Sequence, residues 1–307
     1  MLDFSEKKAS FADLDGRMMS FLHRGDVKHY PENSIEGVIS SCMMGVDIIE
    51  CDVRLTKDSV AVLMHEPTLT RTTNFSDVKG TTVNGIKLPT SENIADWTLE
   101  ELRCLKLKEG KGGPKAALTE YVIPTLEEVL TVTKGRCFIW CDKLGDDDNL
   151  TAREKFESII LPLIKKTGAY DTVIMTPSIG PDDAVAIQEI VRDLENNTEG
   201  LVPFKLSNLS GSTWSSQIQT LANKGLVPFC RFSGLVSSGA DLSQILTDKE
   251  KSFEDIKGTS RLLIDTYLTG DDNVATWDRC SELGLNVVWV EDSLAIQRYI
   301  ATKHFSN

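Results

Sequence analysis

The chain is short of positive charge: 33 Lys and Arg stand against 46 Asp and Glu in 307 residues, a formal net charge of −13. A broad nucleic-acid surface needs an excess of basic side chains, so no nucleic-acid partner is expected. An anionic ligand must instead be drawn in locally, by a metal and a few cationic side chains. No apolar run is long enough to cross a bilayer, so no membrane span is expected. The opening residues, MLDFSEKKAS, lack the basic-then-apolar layout of a secretory leader. The seven cysteines are odd in number and show no zinc-finger spacing. Cys137 and Cys141 share a face of a predicted strand, but no His or Cys pair lies near them. The pattern fits buried, reduced thiols better than a disulfide framework, and a cytoplasmic location follows as the expectation. Histidine is scarce, with four in all. What the chain does have is a 41% hydrophobic content, enough to build a full core.

Short β-rich runs alternate with helical patterns along most of the length. The predicted strands are 18–23, 46–53, 137–142, 172–177, 201–206, 226–232, 261–267 and 286–291. Helical patterns fall at 34–44, 125–133, 151–166, 181–195, 215–224, 240–247, 272–283 and 294–302. Eight strand–helix units predict an α/β protein, a (β/α)8 TIM barrel built as a single domain over 1–307. A doubly wound open sheet is the alternative, but no glycine-rich turn follows the first strand to favour a dinucleotide site. The second strand is followed by Leu55-Thr56-Lys57-Asp58-Ser59 and the apolar run VAVLMH, a link too short for a helical crossover. A hairpin is expected there, and a turn centred on Lys57-Asp58 sets His65 opposite Glu50. Residues from about 67 to 122 have weak periodicity and include GKGGPK at 110–115, which reads as a small insertion capping the barrel mouth. Within it, IADWTLEELRCL predicts one helix with Thr98 as its N-cap.

Catalytic residues of such barrels lie at the C-terminal ends of the strands. His23 ends the first strand, Glu50 and Asp52 lie towards the end of the second, and Asp142 and Lys143 end the third. Glu50 and Asp52 are alternate residues of one strand, so both carboxylates point to one face. Two such acids in an apolar strand repel unless a cation or a shared proton separates them, and a hard divalent ion, Mg²⁺ or Ca²⁺, suits oxygen ligands. The metal ligands expected are therefore Glu50, Asp52 and Asp142. Arg24 and Lys143 are the expected phosphate contacts, Arg24 through its planar fork and Lys143 as a point charge. His23 and His65 are the expected general base and acid. Glu32 either binds metal or substrate, or caps the following helix with Asn33 and Ser34. His29 reads as an incidental loop residue, and Trp140 and Trp289 as core or pocket wall.

The chain resembles the glycerophosphodiester phosphodiesterase family. The match runs through HRG (23–25), PENS (31–34), GVDIIECDVRLTKD (45–58), VLMHEPTLTRTTN (62–74), IPTLEEVL (123–130) and the Asp142-Lys143 pair. Weaker similarity continues through RLLIDTYLTGDDN (261–273) and LGLNVVWVEDSLAIQRYI (283–300). The resemblance implies a TIM barrel with an insertion after the second strand. It makes His23 and His65 the catalytic pair, Glu50 and Asp52 metal ligands, and Arg24 a phosphate contact. The family's third acidic ligand commonly stands two places before a lysine. Cys141 occupies that place, and Asp142 is the expected substitute. Glu66 replaces a commoner Asp, Asp265 a commoner Asn, and Glu291-Asp292-Ser293 a commoner Thr-Asp-x-Pro. The implied reaction is hydrolysis of a small glycerophosphodiester to glycerol 3-phosphate and an alcohol. A lysophospholipase D-like enzyme on larger lipids is an alternative that an exposed apolar rim (Leu69, Phe75, Ile86, Leu88, Trp97) would favour. The other alternative is a non-catalytic barrel that binds a phosphodiester.

Overall fold

In the computed structural model, eight parallel strands close into a TIM barrel. Residues 3–13, 16–144, 150–175, 272–282 and 284–304 are described, with Ala186 and the strands at 204–206, 228–232 and 261–265. The barrel strands are β1 (Met19–Leu22), β2 (Ile48–Leu55), β6 (Phe138–Asp142), β7 (Val173–Met175), β8 (Phe204–Leu206), β9 (Pro228–Phe232), β10 (Arg261–Asp265) and β11 (Val287–Val290). Each pairs in parallel with the next, and β1 pairs with both β11 and β2, which closes the ring. All eight lie where the alternation of apolar runs predicts them. The helical patterns at 181–195, 215–224 and 240–247 lie outside the described residues.

The pleat sorts the strand residues into two layers. Met19 and Phe21, Ile48, Phe138 and Trp140, Ile174, and Val287 and Trp289 form one buried cluster inside the barrel. Phe21 stacks on Trp289 with ring centroids 4.7 Å apart and leans on Trp140 at 4.8 Å. The intervening residues, among them Leu22, Ile49, Cys51, Val53, Ile139, Cys141, Val288 and Val290, face the helices in a separate cluster. A helix that the sequence reading missed, α1 (Phe4–Ala12), plugs the N-terminal end of the barrel. Phe4 and Phe11 pack on Phe138 at 5.2 and 4.9 Å, and the buried Lys7 ammonium donates to the carbonyls of Val46 and Arg136. Its amphipathic signal is weak because one of its inward residues is that lysine, which is stable inside only because backbone carbonyls receive it.

The outer helices form where apolar spacing and caps agree. In α2 (Ile35–Met43) Ser34 caps the Gly37 N–H, and Gly37, Val38, Ser41 and Cys42 are buried. Cys42 and Cys137, with sulfurs 2.9 Å apart, join that helix to the start of β6 as free thiols. The helix at Leu126–Thr133 buries Leu126, Val129, Leu130 and Thr133 at helical spacing behind a Thr125/Glu128 capping box.

Two local expectations need correction. The hairpin strand β3 (Ala61–Leu63) pairs Val53 with Leu63 and Leu55 with Ala61, one residue out of the predicted register. The turn contains an odd number of residues because Ser59 adopts a left-handed backbone, φ 59°, with its N–H donating to the Thr56 carbonyl. His65 is therefore not paired opposite Glu50. The ladder ends at Val53, the Met64 N–H donates to the Asp52 carbonyl, and His65 and Glu66 follow just beyond. The stretch IADWTLEELRCL is not one helix but a 3-10 turn (Ile94–Asp96) followed by a single α-helical turn (Leu99–Leu102), capped as expected by Thr98 with Glu101. The other elements in 67–122 are a one-turn helix (Phe75–Val78) and the two-residue strands β4 (Thr82–Val83) and β5 (Ile86–Lys87). This stretch builds its own small core with Val62 and Met64, in which Leu69, Phe75, Leu88 and Trp97 are buried and Ile86 is partly so. The apolar residues that an exposed rim would need are thus mostly internal.

Candidate active site

Inward-facing parity, continued one step past the apolar layers, produces the site. Met19 and Phe21 lead to His23, Ile48 leads to Glu50 and Asp52, Phe138 and Trp140 lead to Asp142, and Val287 and Trp289 lead to Glu291. In register Asp52 lies beside Asp142 and Glu50 beside Trp140. Parity also explains the third acid: Cys141 packs in the outer layer, while Asp142 is the residue that turns inward.

Glu50, Asp52 and Asp142 each offer a carboxylate oxygen within 4.8 Å of the others. Glu50 and Asp52 are 1% exposed. Burial, reinforced by the charges of Asp52 and Asp142, pushes the Glu50 carboxyl well above the usual carboxylate range. Asp52 Oδ1 is buried with no hydrogen-bond partner. Three converging carboxylates with an unsatisfied buried oxygen fit a hard divalent cation, which would satisfy that oxygen and let Glu50 ionise. The cluster holds no nitrogen or sulfur donor of the kind zinc prefers.

Several neighbours fix these acids. Asn33 Nδ2 donates to Asp52 Oδ2 at 2.8 Å, and the Asp52 N–H donates back to Asn33 Oδ1 at 3.0 Å. The Arg24 N–H donates to Glu50 Oε2 at 3.0 Å. Its guanidinium reaches Glu32 through Nη1 at 3.1 Å and forms an ion pair with Asp52 through Nε at 3.1 Å. Arg24, Asn33 and Lys143 all have left-handed backbones, φ 60°, 57° and 56°, an unusual conformation for residues with side chains that here bends the chain tightly at the mouth. Gly25, φ 82°, packs so close to α2 that a Cβ would lie 3.1 Å from the Gly37 carbonyl carbon.

His23 is 6% exposed, and its N–H donates to the Val290 carbonyl. Burial pushes its pKa down to about 4, with the charges of Arg24 and Lys111 adding to the effect and a hydrogen bond to Glu291 opposing it. Its Nδ1 lies 3.3 Å from Glu291 Oε1. His65 is more open, its side chain 30% exposed, with Nδ1 3.0 Å from Glu66 Oε1. Arg54 holds the His65 carbonyl through Nε and Nη2. Arg71 pairs with Glu66 and with Glu32, which also holds Arg24. His65 is thereby tied to the carboxylate cluster through Glu66, Arg71, Glu32 and Arg24. Although burial opposes it, Arg71 and His65 keep the Glu66 carboxyl below its ordinary value.

The structure thus gathers His23, Arg24, Glu50, Asp52 and Asp142, sets Lys143 directly after Asp142, and links His65 to them by a chain of ion pairs. Of the alternatives for Glu32, helix capping does not hold: Ser34 is the cap, and Glu32 is the buried partner of Arg24 and Arg71. His29 pairs with Asp26 on the surface, its side chain 66% exposed. The sequence reading missed the roles of Asn33 on Asp52, and of Glu291 and Lys111 near His23. The last two come from segments 180 positions apart, so no local motif marks them. The backbone of Asp265 pairs in register with Trp289.

Residues 23–190 match the model of the glycerophosphoryl diester phosphodiesterase family. Over 140 residues the chain is 38% identical to a glycerophosphodiester phosphodiesterase of Caldanaerobacter subterraneus, an overlap spanning 45% of this chain and 45% of that relative. The chain therefore matches about half the length of this curated relative. Its fold is similar to that of a glycerophosphoryl diester phosphodiesterase from Parabacteroides distasonis, with a TM-score of 0.65 and 21% identity over 99% of this chain and 93% of the other. It is also similar to an Oleispira antarctica phosphodiesterase solved with the product sn-glycerol-3-phosphate, with a TM-score of 0.58 and 18% identity over 92% of this chain and 96% of the other. At these identities the two structures bear on the fold.

Proposed function

Because the chain belongs to the glycerophosphoryl diester phosphodiesterase family, we propose that it hydrolyses small glycerophosphodiesters to glycerol 3-phosphate and an alcohol, using His23 and His65 as acid–base groups beside a divalent cation. The observation that carries this reading is the meeting of His23, Arg24 and three converging carboxylates in one layer at the C-terminal mouth of the barrel. Binding alone would need the cations and the carboxylates; a buried imidazole held neutral beside them is what proton transfer needs.

Glu50, Asp52 and Asp142 would hold Mg²⁺ or Ca²⁺, which when bound supplies positive charge against the phosphoryl oxygens. Arg24, anchored by Glu32 and Asp52, presents its fork to the same group. Lys143 adds a point charge from the end of β6. A carboxylate can only accept, so Glu291 and Glu66 each accept a hydrogen bond from the Nδ1–H of their histidine and leave Nε2 to exchange a proton with substrate. His23, kept neutral by burial, removes the proton of the attacking hydroxyl or water. His65, more open, protonates the departing alcohol. Residues 67–122 serve as a cap over this mouth. Their apolar side chains being mostly internal, the cap gives little support to a larger lipid tail.

The test is release of glycerol 3-phosphate from glycerophosphocholine, with Mg²⁺, with Ca²⁺ and with a chelator. Metal-dependent release that is lost in His23→Ala is the expected result. Release that survives both the chelator and that substitution would remove the proposed chemistry.

A further inference from the structure

We infer that Glu291 is a positioning residue for His23, and that Lys111 of the inserted segment sets the Glu291 carboxylate against the imidazole. This rests on the reading of His23 as a proton acceptor, and goes beyond it by naming what fixes its tautomer and ring.

Strand register brings the two residues together. β1 and β11 pair Phe21 with Trp289 and Leu22 with Val290, so the next step along each strand sets His23 beside Glu291. Both continue the inward-facing series, and their side chains meet at 3.3 Å. The backbone of Glu291 is anchored independently, its N–H donating to Asp272 Oδ2 at 3.0 Å. Trp289 stands edge-on to the imidazole with centroids 5.6 Å apart, which limits rotation on another side. Lys111 closes the arrangement by pairing with the same Glu291 oxygen. Nearby, the Gly110 carbonyl accepts from the Glu32 N–H at 2.8 Å, so the segment carrying Lys111 is itself tied to the acid that holds Arg24.

The chemistry follows from the donor inventory. Glu291, pulled down to about 2 by its hydrogen bond to His23 and by Lys111, is a carboxylate with no hydrogen to give. Nδ1 of His23 must therefore carry the hydrogen, and in the neutral ring Nε2 holds the lone pair. Without Glu291 a neutral imidazole is free to place its hydrogen on Nε2, the atom that must accept one. Lys111 acts one step further out: it keeps the carboxylate from swinging into the water at the rim, where Glu291 is 28% exposed.

The full-length protein with Mg²⁺ bound is the system to use, with Glu291→Ala, Glu291→Gln, Lys111→Met and His23→Ala. Nitrogen-15 NMR identifies the His23 ring by its loss in His23→Ala and reports which nitrogen is protonated. Wild type is expected to show Nδ1 protonated and Nε2 bare. Glu291→Ala is expected to move the hydrogen towards Nε2 and to lower kcat on glycerophosphocholine roughly 10- to 100-fold, with KM within about twofold. Glu291→Gln keeps an oxygen able to accept from Nδ1 and is expected to lose less than Glu291→Ala. Lys111→Met is expected to lose least. An unprotonated Nδ1 in wild type overturns the inference, and so does an unchanged kcat in Glu291→Ala when His23→Ala is inactive. Full turnover in His23→Ala is a different failure: it removes the acid–base reading itself.

Discussion

The two sides of the barrel mouth are held by different means. On the wall, His23, Glu50 and Asp52 are 6%, 1% and 1% exposed and sit at strand ends, where backbone register places them. On the hairpin side, the side chains of His65, Glu66 and Arg71 are each 29–30% exposed and are joined to one another by ion pairs. A strand register can slip only by whole residues, so the wall geometry is stiff. Partly exposed ion pairs are weakened by water and salt, so the hairpin side is held less stiffly than the wall. On the proposed function, a neutral base and cation ligands need the first kind of support, and a group that meets leaving alcohols of different shape is served by the second.

The largest expected effect tests the wall. His23→Ala should lower kcat by about 10³- to 10⁴-fold, at the upper end for loss of an acid–base group. Calorimetric Mg²⁺ binding should persist, because Glu50, Asp52 and Asp142 are untouched. Loss of Mg²⁺ binding as well would mean that His23 is part of the cation site rather than beside it. On the hairpin side, His65→Ala should cost about 10²-fold with a choline leaving group. With a nitrophenol leaving group, which departs without a proton, His65→Ala should recover most of its rate and His23→Ala should not. The reverse pattern would exchange the two roles.

A smaller effect belongs to Arg71. Its planar fork spans Glu32 and Glu66, a reach that a lysine point charge does not reproduce. Arg71→Lys should lower kcat about threefold to tenfold while leaving Tm within about 2 °C, since a lysine keeps a positive charge beside the buried Glu32 and the Glu66 pair is partly exposed. A much larger fall in Tm would show that the hairpin side belongs to the cooperative core, and would break the contrast with the wall.

The same contrast explains what the sequence discloses. Strand periodicity reveals the barrel, and its parity carries through to Glu50, Asp52 and Asp142, because an inward face repeats every second residue. Parity likewise prefers Asp142 to Cys141 without any appeal to a family pattern. The hairpin register was misread by one because the odd turn depends on a left-handed Ser59, a conformation that Asn or Gly would signal and serine does not. Helix α1 was missed because its buried Lys7 breaks the apolar face. The Asn33–Asp52, His23–Glu291 and Lys111–Glu291 pairs span 19, 268 and 180 positions, and no periodic pattern records an isolated long-range pair.

The smallest predicted change is in pH dependence, and it separates two groups within the wall. Burial lowers the pKa of His23 to about 4, whereas burial and the neighbouring Asp52 and Asp142 charges raise that of Glu50 well above its ordinary value. As pH falls, Glu50 therefore takes up a proton while His23 is still neutral. A proton on Glu50 removes a ligand charge and competes with the cation, so the acid limb of kcat/KM should report cation loss rather than protonation of the base. Competition of one proton with one cation has a fixed signature: each tenfold rise in Mg²⁺ above its dissociation constant at neutral pH should move the acid limb to lower pH, by up to about one unit. The shift should stop near pH 4, where His23 is itself about half protonated. An acid limb that does not move with Mg²⁺ would assign it to His23, and the stiff side of the mouth would then be titrating through its base before its ligands.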